Sequence, residues 1–555
     1  MVQISLRGWV LIVFIGVALP LKGLAEPTPE TASPMMSVTT SEPLADGPFK
    51  PNWDSLKAYQ VPDWFRDAKF GIWAHWTAQC VPEQGDWYAR FMYQQGSHDY
   101  KYQVEHYGHP SQVGFKDIDN LWHAEHWDPD KLMALYKRAG AQYFMALANH
   151  HDNFDCFDSK YQPWNSVKIG PKKDIVGTWA EVARRNGLRF GVSVHASHAW
   201  SWFEVAQGSD KDGPLAGVPY DGKMTAADGV GKWWQGLDPQ DLYCQNHVPG
   251  TKLVWDWDAS KGSSVPDLAY CDKYFNRTID LINKYHPDLV YFDDTILPLY
   301  QISDAGLKIA ADYYNANMQW HGGKNEGVLT GKGLDEEERK CITWDIERGQ
   351  TDRIEPLPWQ TDTCIGSWHY ERKRFEQHSY KTADVVIHML VDNVSKNGNL
   401  MLNIPVRGDG TIDEDEVAFL NSMADWMQIN RECIFGTRPW TIYGEGPSVL
   451  AGAQPKAKNF NEGKVHYTAQ DIRFTTRGDV LYAIALDWPA DGKLRIRSLA
   501  LGPEYIQQEI ADVELLGSDA PLVYSREASG LIITLPAQKP CDHAYVFKIQ
   551  LGKPL

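Results

Sequence analysis

Pro287-Asp288-Leu289-Val290-Tyr291-Phe292-Asp293-Asp294 is an apolar run that stops at two adjacent carboxylates. Four consecutive apolar residues read as a strand buried on both faces, and period-two alternation sends Asp293 and Asp294 to opposite sides at its C-terminal end. Upstream, Leu268, Cys271, Phe275, Ile279, Ile282 and Tyr285 keep three-to-four-residue spacing until Pro287 stops it, which predicts a helix. Helix followed by buried strand is half of a βα repeat. Parallel α/β barrels carry their chemistry at the C-terminal ends of such strands, so Asp293 is a candidate catalytic group. Capping the next helix or pairing with a buried arginine is the plain structural alternative for either carboxylate.

The same pattern recurs on the N-terminal side. Phe70 to Ala74 reads as a strand that delivers His75, Tyr143 to Ala148 runs into Asn149, His150, His151 and Asp152, and Leu188 to Val194 ends at His195. Between them, Asp128-Pro129 opens a helix closed by Gly140, and Asp174 opens another that ends at Asn186-Gly187. Strands alternating with helices, with polar residues gathered at strand ends, predict a (β/α)8-like TIM barrel. Lys340 to Ile346, Val385 to Leu390 and Leu400 to Ile404 are read as later barrel strands, and Asp413 to Asn430 as a closing helix. Beyond Trp440, runs such as Val480 to Leu486, Leu531 to Leu535 and Ala544 to Ile549 alternate with Gly, Pro and Asp turns, which predicts a C-terminal antiparallel β-sandwich. The expected organisation is a signal peptide over 1–25, a flexible leader over 26–47, the barrel over 48–440 and the sandwich over 441–555. The Gly- and Asp-rich stretch 208–262, with Trp233, Trp234, Trp255 and Trp257, is too long for an ordinary connection and reads as a wall over the active face.

Composition narrows the class. The 555 residues exceed one hydrophobic core, and 43% apolar with 23% charged residues excludes wholesale disorder and a membrane bundle. A net charge of −18 disfavours nucleic acid or an anionic membrane as partner. The 23 Trp and 26 Tyr suit a protein that stacks on sugar rings. Arg7, the apolar run Trp9 to Leu19 and the small residues around Gly23-Leu24-Ala25 read as a cleavable signal, so the product is expected to be secreted or periplasmic. Eight cysteines show no zinc-ligand or redox spacing, leaving disulfides and buried thiols both open. Asn276-Arg277-Thr278 and Asn393-Val394-Ser395 are sequons.

Histidines and carboxylates on one rim admit two machines. A metal-dependent hydrolase would use His75, His150, His151 and Asp152 as ligands, but adjacent histidines diverge on a strand, so no metal and no cofactor is expected. A retaining glycosidase needs an ionised carboxylate and a protonated one about 5 Å apart. Asp293 fits the first. Glu347, in Trp344-Asp345-Ile346-Glu347-Arg348, is the candidate for the second, with Glu355 as its rival.

Phe70-Gly71-Ile72-Trp73-Ala74-His75-Trp76, His150-His151-Asp152, Trp164-Asn165-Ser166, Pro171-Lys172-Lys173-Asp174, Asn399 to Ile404 with Gly408-Asp409-Gly410, and Gly436-Thr437-Arg438-Pro439-Trp440 occur in an order that resembles the α-L-fucosidases of glycoside hydrolase family 29. The resemblance covers about residues 60 to 440. It implies retaining hydrolysis of terminal α-L-fucose from an oligosaccharide or polysaccharide, with Asp293 as nucleophile and Glu347 as acid/base. It also implies that His75, His150 and His151 bind the sugar hydroxyls, that Trp87 and Tyr88 match the family's Trp-Tyr pair, and that Trp368 packs near the sugar's methyl group. Tyr291 stands where the family usually has Trp, His195 where it often has Tyr or Ser, and Gln360 where some members have Glu; His195 is taken as rim lining. Related readings are activity on α-L-galactosides or sulfated fucose polymers, and a fucose-binding protein without catalysis.

Overall fold

The computed structural model describes residues 35–450, 456–463 and 465–552. The expected signal peptide and the leader as far as residue 34 lie outside the described residues. Eight parallel strands close into a barrel in sequence order: β1 (Phe70–Ala74), β2 (Tyr143–Asn149), β3 (Arg189–Val194), β4 (Leu289–Thr295), β5 (Val328–Lys332), β6 (Thr343–Glu347), β7 (Trp359–Cys364) and β8 (Gly398–Asn403), with β8 returning to β1. Closure leaves no sheet edge, and helices cover the outside, so the strands are buried on both faces. Leu289, Tyr291, Trp73, Tyr143, Met145, Val328 and Met401 form an interior cluster distinct from the larger core between strands and helices, where Val290 and Phe292 sit. Gly71 is required inside, because a Cβ there would lie 2.2 Å from the Tyr143 ring.

The main outer helices are α1 (Pro129–Arg138), α2 (Ile175–Arg185), α3 (Leu268–Tyr285), α4 (Ala305–Trp320), α5 (Ala383–Ser395) and α6 (Glu414–Asn430). Asp128, Asp174, Asp267 and Asp413 cap α1, α2, α3 and α6 by accepting backbone N–H bonds in the first turn. Val385 to Leu390, read as a strand, lies within α5. Val386, Ile387, Leu390, Val391 and Val394 make a buried helical stripe, and their β-branched character misleads a propensity reading. The barrel is completed instead by β5 and β7, whose sequences Val-Leu-Thr-Gly-Lys and Trp-Gln-Thr-Asp-Thr-Cys hold no apolar run.

The segment 36–47, read as flexible leader, is strapped to the barrel. Its N–H groups are satisfied by helix carboxylates and amides: Thr39 by Asp272 at 2.7 Å, Ser41 by Asn276 at 2.7 Å and Ala45 by Asp312 at 2.6 Å. Few apolar residues are needed when the anchors are hydrogen bonds. Asn276 is thereby buried, as is Asn393, so neither sequon offers an accessible amide in the folded chain. All eight cysteines are free thiols, six of them buried.

The C-terminal part packs a five-stranded sheet, ordered β13-β16-β11-β10-β9, with a three-stranded sheet, β12-β15-β14, around its own core. Its strands are β9 (Arg438–Glu445), β10 (Ile472–Arg477), β11 (Val480–Ala485), β12 (Lys493–Ile496), β13 (Ile510–Leu515), β14 (Val523–Glu527), β15 (Gly530–Thr534) and β16 (Tyr545–Leu551), all paired antiparallel. α5 joins it to the barrel through a fully buried ion triad, in which Asp392 meets Lys396 at 2.6 Å and Arg473 of β10 at 2.7 Å. Removing the anion takes from both buried cations the carboxylate that offsets their charge. Asp392→Ala is therefore expected to cost about 3–5 kcal/mol, read as a lower denaturation midpoint; a loss within measurement error would show that the triad does not hold the domains together.

Candidate active site

The strand ends converge on a cavity of about 360 Å³. β1 supplies Trp73 and, just beyond it, His75; the turns after β2 and β3 supply His150 and His195; β4 to β7 supply Asp293, Lys332, Glu347 and Asp362; and the segment after β7 supplies Trp368. Alternation along β4 points Leu289 and Tyr291 inward and Val290 and Phe292 outward, which carries Asp293 toward the barrel axis. The β4–β5 register shifts between Tyr291 and Thr295, an irregularity in the ladder beside Asp293. Asp294 is held in place by the Ser197 hydroxyl at 2.6 Å, the Thr295 N–H at 2.8 Å and His198 Nε2 at 3.1 Å.

Lys332 is the electrostatic centre. Its ammonium lies 2.6 Å from Asp293 Oδ1 and 2.7 Å from Glu347 Oε2, which caps the separation of those two oxygens at the sum, 5.3 Å. His151 Nε2 and His195 Nδ1 each lie 3.1 Å from Asp293 Oδ2. Burial works to raise the Asp293 pKa, but Lys332, His195 and the bonds from both imidazoles override it and hold the carboxyl well below the usual range. Glu347 goes the other way. Burial, against the opposing charge of Lys332 and with the negative Asp293 and Asp362 adding to it, pushes its carboxyl up to about 7. The two acids thus differ in ionisation near neutrality although one cation touches both. Lys332 itself is held well above the ordinary lysine value, since the neighbouring carboxylates outweigh its burial.

The imidazoles of His75, His150 and His195 are neutral donors and acceptors. Burial drives His75 and His150 well below the ordinary histidine value, and takes His195 down to about 4 despite Asp293. Gln79 Nε2 lies 3.0 Å from His150 Nδ1 and also donates to Asp152 at 2.9 Å, so His150 accepts at Nδ1 and carries its proton on Nε2. His75 Nδ1 and His195 Nε2 are buried with no protein partner. His75, His150 and His195 bring ligand atoms within 4.8 Å of one another, as do His151, His195 and Asp293. The positive charge that a metal would supply beside Asp293 is supplied by Lys332. Aromatic walls complete the cavity: Trp73 packs on His75 and Tyr291, with ring centroids 3.9 and 4.7 Å away, and Trp368 lies 4.9 Å from His75.

Of the residues expected from sequence, Asp293, Glu347, His75, Trp87, His150, His195, Tyr291 and Trp368 line the cavity. His151 does not. It stands behind Asp293, with Nδ1 2.7 Å from the His195 carbonyl. Tyr291 donates its hydroxyl to Asp362 at 2.6 Å, and Tyr88 turns away to Gln103. Glu355 lies in a separate cavity with Arg339 and Arg353, before the start of β7, where it cannot share a bond with Asp293. From the 208–262 stretch, Trp255 lines the cavity, while Trp234 and Trp257 are buried. Lys332, Asp362, Trp73, Asn459 and Phe460 were not anticipated. Lys332 ends β5, which holds no apolar run to flag it, and Asn459 and Phe460 arrive from the C-terminal side of the chain and carry no local signal.

A parallel barrel with two carboxylates of opposed ionisation, neutral imidazoles and stacked aromatics at its C-terminal rim defines a glycoside hydrolase. The Alpha-L-fucosidase family matches residues 36–432, and the Alpha-L-fucosidase C-terminal domain matches residues 463–550. The chain belongs to the alpha-L-fucosidase family, glycoside hydrolase family 29, whose substrates are fucosylated glycans. It is 27% identical to an alpha-L-fucosidase of Branchiostoma floridae over 515 residues, covering 90% of this chain and 96% of that one. It is also 27% identical to the plasma alpha-L-fucosidase of Homo sapiens, with 90% and 92% covered. The fold is shared with the alpha-fucosidase of Thermotoga maritima in complex with fucose, at TM-score 0.64 and 24% identity, covering 90% of this chain and all of that one.

Lys332→Met is expected to raise the pKa of Asp293, because the charge that depresses it is gone. Activity that needs ionised Asp293 is lost as pH falls through that pKa, so the acid limb of kcat/KM on an aryl α-L-fucoside moves upward. The alkaline limb set by Glu347 moves upward as well, since Lys332 lowers that pKa too. An acid limb unchanged in the variant would remove Lys332 from this role.

Proposed function

We propose that the chain is an exported, retaining exo-α-L-fucosidase that releases terminal α-L-fucose by double displacement. The observation that carries the reading is the pair of acids on one ammonium, at most 5.3 Å apart between the bonded oxygens and opposed in ionisation. Retaining enzymes hold their carboxyl groups about 5–5.5 Å apart, too close to seat a water between them. Asp293 attacks the anomeric carbon while Glu347 gives its proton to the leaving oxygen. The same Glu347 then takes a proton from water as that water cleaves the fucosyl ester. The free nitrogens of His75 and His195 and the Nε2–H of His150 meet sugar hydroxyls, and the indoles of Trp73 and Trp368 offer the apolar surface that a 6-deoxy sugar needs. A hydroxyl added at that methyl would lose hydration there, which favours fucosides over galactosides. Export rests on the N-terminal apolar run; among the described residues, no helix is long and apolar enough to cross a membrane.

Three measurements test the assignment. Wild-type enzyme should release α-L-fucose as first product by proton NMR and prefer fucosyl over galactosyl chromogenic substrates, with or without chelator. Asp293→Ala should lose at least about a thousandfold in kcat with unchanged circular dichroism. Glu347→Ala should be slow on poor leaving groups and be rescued by azide, giving an α-L-fucosyl azide. Release of β-L-fucose, or wild-type rates in Glu347→Ala, would overturn the mechanism.

A further inference from the structure

The strand end that carries Glu347 is clasped by a stretch 112 positions further along the chain. Phe460 N–H donates to the Glu347 carbonyl at 2.8 Å and Glu462 N–H to the Arg348 carbonyl at 2.9 Å. Asn459 Oδ1 accepts the Glu347 N–H at 3.2 Å, and Asn461 Oδ1 accepts the Gln350 N–H at 2.9 Å. The Glu462 carboxylate is fixed in turn by Arg348 at 2.6 Å, Lys381 at 3.1 Å and the Thr363 hydroxyl at 2.6 Å.

Held between these anchors, Phe460 adopts φ +57° and leaves 62% of its surface exposed. A left-handed backbone at a non-glycine residue and an unburied phenyl ring are two separate costs. Both fall on a residue that borders two cavities. One holds Asp293 and Glu347; the other, about 650 Å³, is lined by Arg348, Lys381, His388, Met389, His466 and Tyr467.

We propose that Phe460 is the platform for the sugar ring on the leaving side of the scissile bond, with the second cavity taking the rest of the glycan. The inference rests on Glu347 as proton donor. A donor faces the leaving oxygen, and Phe460 lines the cavity that holds the Glu347 carboxyl while bordering the second one. Pyranose rings present apolar C–H faces that pack on aromatic rings, and a platform pinned by two backbone bonds and two asparagine side chains loses little freedom on binding. The C-terminal part of the chain thereby sets preference for the leaving group, while the barrel sets preference for fucose.

The test compares kcat/KM on an α-L-fucosyl disaccharide with that on α-L-fucosyl fluoride, whose leaving group has no ring. In Phe460→Ala the disaccharide-to-fluoride ratio should fall by about 3- to 10-fold, and Phe460→Tyr should restore it. An unchanged ratio overturns the platform, and so does a fall matched by an equal fall in the methyl α-L-fucoside-to-fluoride ratio, which weakened bracing of Glu347 would give, because methanol needs the donated proton but carries no ring. Wild-type enzyme inert toward the fluoride would overturn the fucosidase reading itself, a result independent of the variants.

Discussion

One buried ammonium shared by two carboxylates is the interaction on which this site depends. Lys332 touches both Asp293 and Glu347, so their positions cannot drift independently, and its single charge cannot neutralise both. Which acid keeps its proton is then decided by surroundings. Two imidazoles add hydrogen bonds to Asp293, whereas Glu347 has Asp293 and Asp362 as negative neighbours. The barrel makes the shared contact possible because β4, β5 and β6 are consecutive neighbours whose C-terminal ends meet on one rim.

Around that centre the polar groups are arranged in layers. Beneath the site, Tyr143 donates to Gln360 and Gln360 to Asp345, while Tyr291 donates to Asp362, so the barrel interior carries hydrogen-bonded polar groups among its aromatics. Asp86 accepts the N–H groups of Trp368 and His369 and thereby sets the loop that brings Trp368 to the cavity. Asp294, next to Asp293 in sequence, ties β4 to the segment after β3.

The C-terminal sheets are part of this arrangement rather than an appendage. The buried triad of Asp392, Lys396 and Arg473 registers them against α5, and the Trp426 indole donates to the Ala544 carbonyl across the same boundary. With the boundary fixed, the 458–462 stretch can pair with the backbone of Glu347 and Arg348. Glu347 and Phe460 are therefore held from both sides of one interface.

What the sequence determined by itself was local. Apolar runs ending in polar residues identified β1 to β4 and placed Asp293, His75, His150 and His195 at strand ends, because alternation and burial act over a few residues. It was misled where local character and tertiary role part company: α5 is rich in β-branched residues, β5 and β7 lack apolar runs, and segment 36–47 is held by hydrogen bonds rather than apolar contact. Tertiary structure alone decided the rest. Parity along β4 leaves two adjacent carboxylates equivalent until closure of the barrel turns one face inward. Lys332 becomes the shared cation, and Glu355 is separated from Glu347 by an entire strand length, only when eight strands meet in a ring. Phe460 reaches the site because a stretch more than a hundred positions beyond Glu347 folds back onto the end of β6. Those are relations between distant segments, and no local pattern encodes them.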